Sequence, residues 1–153
     1  MGTDISMYGE KREAGNWKPC FPLKRNRYGD PCMSKVYRND RNYGLFRILA
    51  DVERLTNHGF EPICAPRGLP DDLSPQLRTL TDFMEELARE GAVYPYNYSW
   101  LLLRELLEFP WTERIHKGYT LADYCDVFVR RTIPLLQRYG GPDDVRIVFW
   151  FDD

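Results

Sequence analysis

The sequence predicts an α+β fold in a single domain over residues 1–153. About four helices are expected to pack on a small antiparallel sheet formed by an N-terminal hairpin and the C-terminal strand. Three observations carry this. Val145-Arg146-Ile147-Val148-Phe149-Trp150-Phe151 alternates as a strand, with Val145, Ile147, Phe149 and Phe151 on one face and Arg146, Val148 and Trp150 on the other. Tyr8–Cys20 reads as a hairpin around Glu13-Ala14-Gly15-Asn16. Between them lie several stretches of helical periodicity. The chain's 153 residues, 43% hydrophobic and 29% charged, suffice for one domain with a real core.

The hairpin's return strand is weak by propensity, and Pro19 must sit at an edge or an end. Residues 21–39 carry too many turn residues for a regular element and form an irregular basic loop. Arg41–Val52 then reads as an amphipathic helix whose apolar stripe is Leu45, Phe46, Ile48, Leu49 and Val52. Asp40 or Asn42 caps it, and Asn57-His58-Gly59 supplies the stop. Pro62–Pro75 is a proline-stiffened connection. Asp72 or Ser74 caps the next helix, with Pro75 in its first turn, the stripe Leu77, Leu80, Met84 and Leu87, and a stop at Gly91.

Tyr94–Tyr98 reads as a tyrosine-rich linker, and Ser99 as the cap of a short, strongly apolar helix from Trp100 to Phe109. Trp111–Tyr119 is expected to be a loop. Thr120 with Asp123 resembles a capping box opening a helix to about Tyr139, kinked at Pro134 and stopped by Gly140-Gly141-Pro142.

Composition excludes more than it assigns. No apolar run approaches the ~20 residues of a membrane span, so no membrane partner is expected. The start Met1-Gly2-Thr3-Asp4 lacks a basic-then-apolar leader pattern, and the expected location is the cytoplasm. Cys20, Cys32, Cys64 and Cys125 form no C-x-x-C pair and are expected to be free thiols; only a fold that gathered them with His58 or His116 would make a zinc site. No P-loop, G-x-S-x-G, G-x-G-x-x-G or H-E-x-x-H is present, so no catalytic residue, metal or cofactor is assigned.

The net charge of -2 hides an asymmetry. Lys11–Arg47 holds ten lysines and arginines against three acids, and the rest of the chain is correspondingly acidic. These charges are expected to pair across the fold; the alternative is an anion-binding face. Lys24, Arg25, Arg27 and Tyr28 are the basic-loop candidates for phosphate contact and base stacking. Arg41, Asn42, Tyr43 and Arg67, with Trp150, are candidates for a nucleotide or anion pocket, since Arg offers a bidentate fork and the aromatics stack. Asp71 joins Arg67 on a preformed ledge. Tyr94, Tyr96 and Tyr98 are candidates for a partner surface, because Tyr presents rigid amphipathic area.

Arg41-Asn42-Tyr43 with Leu45-Phe46 and Leu49-Ala50-Asp51-Val52, then Pro66-Arg67-Gly68-Leu69-Pro70 with Asp72 and Ser74, then Ser99-Trp100-Leu101 with Glu105-Leu106, and finally Val145–Asp152, resemble a family of small bacteriophage and prophage proteins without an assigned biochemical function. The resemblance implies a phage accessory protein acting in the bacterial cytoplasm. It departs at Phe21–Arg38 and Tyr94–Tyr98, and it carries over no catalytic residues. The leading expectation is a non-enzymatic protein that binds a bacterial host protein and inhibits an anti-phage defence system. The alternatives are a nucleotide- or anion-binding protein and, third, a nucleic-acid-binding protein.

Overall fold

β8 (Val145–Asp152) is the centre of the molecule, and seven of its eight residues are buried. A strand so apolar needs a neighbour on each edge and a layer on each face, and it has all four. A computed structural model describes residues 2–38, 41–52 and 59–153. β1 (Asp4–Glu13) and β2 (Asn16–Pro19) form the expected hairpin; its tip, Ala14-Gly15, takes φ of 50° and 81°, the left-handed pair that matches a two-residue turn to strand twist. β1 runs antiparallel to β8 over the whole of β8, from Asp4 opposite Asp152 to Lys11 opposite Val145.

The sheet order is β2-β1-β8-β5, so it has four strands and not about three. The additional strand, β5 (Tyr96–Leu102), covers Ser99 and Trp100, where the sequence suggests a helix cap and first turn. The physical reason is period 2: Ser99 and Leu101 are buried on one face while Tyr98 and Trp100 pack on the other. The helix starts only at Leu103, as α3 (Leu103–Glu108). Asn97, at φ 51°, marks the register break that turns Tyr96 and Tyr98 to opposite sides. The outer edge of β5 is covered by the connection before α2, with Gly68 N–H donating to the Tyr98 carbonyl.

One face carries the larger core. α1 (Tyr43–Ala50) lies here with Leu45, Phe46, Ile48 and Leu49 fully buried. Asn42 is its N-cap, accepting from Leu45 N–H at 2.9 Å. The helix ends earlier than expected, because Asp51 adopts φ 54° and donates its N–H back to the Arg47 carbonyl. Asp40, Asn57 and His58 lie outside the described residues. Gly44 lets α1 approach closely: a Cβ there would stand 2.5 Å from the Tyr124 ring and 2.7 Å from that of Phe60.

The expected helix over 121–139 is broken into α4 (Leu121–Tyr124), a π-helical turn (Phe128–Thr132) and α5 (Ile133–Gln137). Pro134 has no N–H to donate, and the wider turn, closed by Ile133 N–H on the Phe128 carbonyl, takes up the mismatch. The Thr120–Asp123 capping box is present as read.

α2 (Pro75–Arg89) covers the opposite face, capped by Ser74 and burying Leu77 and Leu80 on Tyr8, Val148 and Trp150. Two-residue strands β3 (Lys24–Arg25) and β4 (Pro31–Cys32) pair within the otherwise irregular basic loop. β6 (Arg114–His116) and β7 (Tyr119–Thr120) form an exposed hairpin where a loop is expected.

Candidate functional site

α2 covers only the middle of its sheet face, and polar groups emerge on both sides of it. On one side lies a ladder of cations and indoles. Arg146, 2% exposed, donates from Nε to Glu10, itself fully buried, at 2.7 Å, and from Nη1 to Asp72 at 2.8 Å. Its guanidinium lies 4.0 Å from the Trp17 ring centre and 5.8 Å from that of Trp100. The Arg12 guanidinium lies 5.1 Å from the Trp17 ring centre, and that of Arg67 4.6 Å from the Trp100 ring centre. Glu10 also accepts the Ser74 N–H, which ties the start of α2 to the sheet. Each cation has a carboxylate: Arg12 has Asp144, Arg67 has Glu105, Arg146 has Glu10 and Asp72. Burial pushes the Glu105 carboxyl up, and Arg67 with the Leu102 N–H outweighs it, leaving it below the usual range. This cluster is a fastening, with two guanidinium groups near each indole.

At the other end of the same face, a groove of about 900 Å³ is lined by Asp4, Ser6, Lys35, Arg38, Arg41 and Asp152. Arg41 grips Asp4 through Nε at 2.8 Å and Nη2 at 3.3 Å, and holds its carboxyl below the usual range. Burial, with the neighbouring Asp4, pushes Asp152 up. Lys35 and Arg38 have no carboxylate in ion-pair contact among the described residues.

Beyond the groove, β3 and β4 carry a finger. Asn26 builds its tip: Oδ1 accepts the N–H groups of Tyr28 and Asp30 at 2.9 and 3.0 Å, and its carbonyl accepts the Gly29 N–H at 2.9 Å. Gly29 takes the φ of 82° that this turn requires. Arg25 adds a bond from Nη1 to the Gly29 carbonyl at 3.3 Å. The tip holds out Arg27 stacked at 4.8 Å on Tyr28, and Tyr28 is 72% exposed. Among the described residues Lys24, Arg25 and Arg27 have no carboxylate partner.

The charge asymmetry therefore resolves in two ways. Arg12, Arg41 and Arg47 pair with acids elsewhere, as do Arg67, Arg104 and Arg130. Among the described residues, Lys24, Arg25, Arg27, Lys35 and Arg38 do not.

The pocket candidates are divided between places. Arg41 lines the groove, while Asn42 caps α1 and donates its amide to the Tyr124 carbonyl at 2.8 Å. Tyr43 packs edge-on against Phe46. Arg67 and Asp71 line the cleft beside the ladder. Trp150, 1% exposed, is sandwiched between Tyr8 and Tyr98 beneath α2. Of the tyrosines, Tyr94 is 70% exposed, Tyr96 donates its hydroxyl to Asp153 at 3.0 Å, and Tyr98 donates to Glu85 at 2.8 Å. Lys35, Arg38 and Asp152 line the groove as well. Lys35 and Arg38 stand in the basic stretch, but only the fold sets them beside the end of β8.

Cys20, Cys32 and Cys64 are half-buried and Cys125 is buried, with no disulfide among them; burial pushes the Cys20 thiol up to about 12, away from thiolate chemistry. Among the described residues no three His, Cys, Asp or Glu side chains gather to hold a metal ion, and no helix is long and apolar enough to cross a membrane. No protein-family model, no curated protein and no solved structure matches this chain.

Proposed function

We propose that this chain works by binding, not catalysis, and that the β3–β4 finger is its docking surface for an acidic patch on a partner protein. The reading rests on one observation: Lys24, Arg25 and Arg27 cluster on and beside a hydrogen-bonded tip with no carboxylate partner among the described residues. Unneutralised charge on a rigid support gives fast, partner-selective association and little else to the fold. Tyr28 adds the exposed aromatic area that interfaces favour. In keeping with the resemblance to phage accessory proteins, the partner is a bacterial host protein, and a component of an anti-phage defence system is the proposed target.

The test is co-purification from bacterial lysate of the tagged chain and of the variant Lys24→Glu/Arg25→Glu/Arg27→Glu. The reading expects one stoichiometric protein with the parent chain and its loss with the variant, at an unchanged melting temperature. Equal capture by both refutes it.

A second reading, single-stranded nucleic acid, is favoured by the Arg27–Tyr28 stack, since a cation beside an exposed ring suits a phosphate and its base. It expects affinity for an oligonucleotide that falls steeply with salt and is lost with Tyr28→Ala.

A further inference from the structure

The groove at the end of β1 and β8 has its own chemistry, separate from the finger: none of Lys24, Arg25, Arg27 or Tyr28 lines it. Asp4 and Asp152 are direct cross-strand partners, so both stand on the face that α2 leaves open. Arg41 is engaged by Asp4 through two hydrogen bonds. That leaves three polar groups without a partner among the described residues. Lys35 and Arg38 have no carboxylate in ion-pair contact, and Asp152 receives no hydrogen bond. Met33, half-buried, contributes apolar surface beside them.

Lys35 feels the charge of Asp4 and Asp152 without an ion-pair contact to either, and two cations with no carboxylate in contact among the described residues match a phosphate, which accepts several charge-assisted bonds at once. The half-buried carboxylate matches a donor, and a sugar hydroxyl is the donor that acidic side chains take in nucleotide sites. The volume of about 900 Å³ admits a ligand of mononucleotide size. Inorganic phosphate satisfies only the cations, and a phosphate-free nucleoside only the carboxylate.

We propose that this groove binds a small phosphate monoester bearing sugar hydroxyls, with the phosphate on Lys35 and Arg38 and a hydroxyl donating to Asp152. The proposal does not depend on the docking role of the finger.

Calorimetric titration of the full chain with AMP, ribose 5-phosphate and inorganic phosphate tests it. Both esters are expected to bind about tenfold or more tighter than inorganic phosphate. Lys35→Ala/Arg38→Ala is expected to weaken both esters by at least about tenfold, the size of one lost charge-assisted bond. Asp152→Ala is expected to abolish the advantage of ribose 5-phosphate over inorganic phosphate while inorganic phosphate itself binds no more weakly, which also shows that the groove survives the substitution. Tighter AMP than ribose 5-phosphate assigns the nucleoside class, with the base on Met33; equal affinities assign the sugar-phosphate class. The proposal is overturned if neither ester binds, if the esters bind no tighter than inorganic phosphate, or if Lys35→Ala/Arg38→Ala binds them as the parent does.

Discussion

Arg146→Met is the most informative perturbation of this fold. The guanidinium is 2% exposed and its partner Glu10 is fully buried, so removing the cation strands a carboxylate inside the sheet. Only the Ser74 N–H, at 2.9 Å, remains to Glu10. Breaking a buried pair by removing one partner costs about 3–5 kcal/mol. Loss of the stack on Trp17 lies within that range and not on top of it. With a urea dependence of about 2 kcal/mol per molar, typical for a small domain, the unfolding midpoint falls by about 2 M. Glu10→Leu alone is expected to cost less than Arg146→Met, because Asp72 remains to hold the arginine at 2.8 Å. The double variant Glu10→Leu/Arg146→Met removes both charges, and its cost falls well below the sum of the two singles. Urea titrations followed by circular dichroism give all three values. An Arg146→Met cost under about 1 kcal/mol, or a double variant equal to the sum, refutes the view that this pair fastens α2 to the sheet.

Other expectations follow from single contacts. Ser74→Ala removes the N-cap of α2 and lowers stability by about 1 kcal/mol in the same titration; no change means that another acceptor serves Leu77 N–H. Gly44→Ala drives a methyl group into Tyr124 and Phe60, and overpacking of about 1–3 kcal/mol outweighs the gain in helix propensity, so the melting temperature falls and does not rise. Burial pushes the Tyr8 phenol up to about 12, against about 10 when unfolded. A raised folded value means that this contribution is fully present below pH ~10 and is lost as pH climbs toward 12. Stability is therefore expected to fall between pH 10 and 12, less steeply in Tyr8→Phe; identical slopes in the two proteins contradict the assignment.

Much of this fold is legible because its signals are local. The two faces of β8 follow from alternation alone, and Val145, Ile147, Phe149 and Phe151 join one core while Val148 and Trp150 join the other. α2 is bounded by Ser74-Pro75 and Gly91, whose chemistry acts within one turn. What is not legible depends on partners distant in sequence. Tyr96–Leu102 is a strand because β8 offers a free edge; taken with the leucines of α3, its sequence continues a helical run. The 121–139 segment shows Pro134 but not that a π-helical turn absorbs it. Charge pairing is the clearest case. Glu10 and Arg146 are 136 positions apart and Asp4 and Arg41 are 37 apart, so only the fold reveals which cations are neutralised. The basic stretch is visible as composition; that Arg12 and Arg41 find acids while Lys24, Arg25 and Arg27 contact none among the described residues is not.

The most direct test of the docking role is the affinity of the captured partner for the parent chain and for Lys24→Glu/Arg25→Glu/Arg27→Glu at several salt concentrations. An electrostatic finger predicts binding that weakens from 50 to 500 mM salt, mainly through a slower on-rate, and a charge-reversed variant that has lost both the affinity and most of the salt dependence. Binding that is insensitive to salt and equal in the two proteins would contradict it.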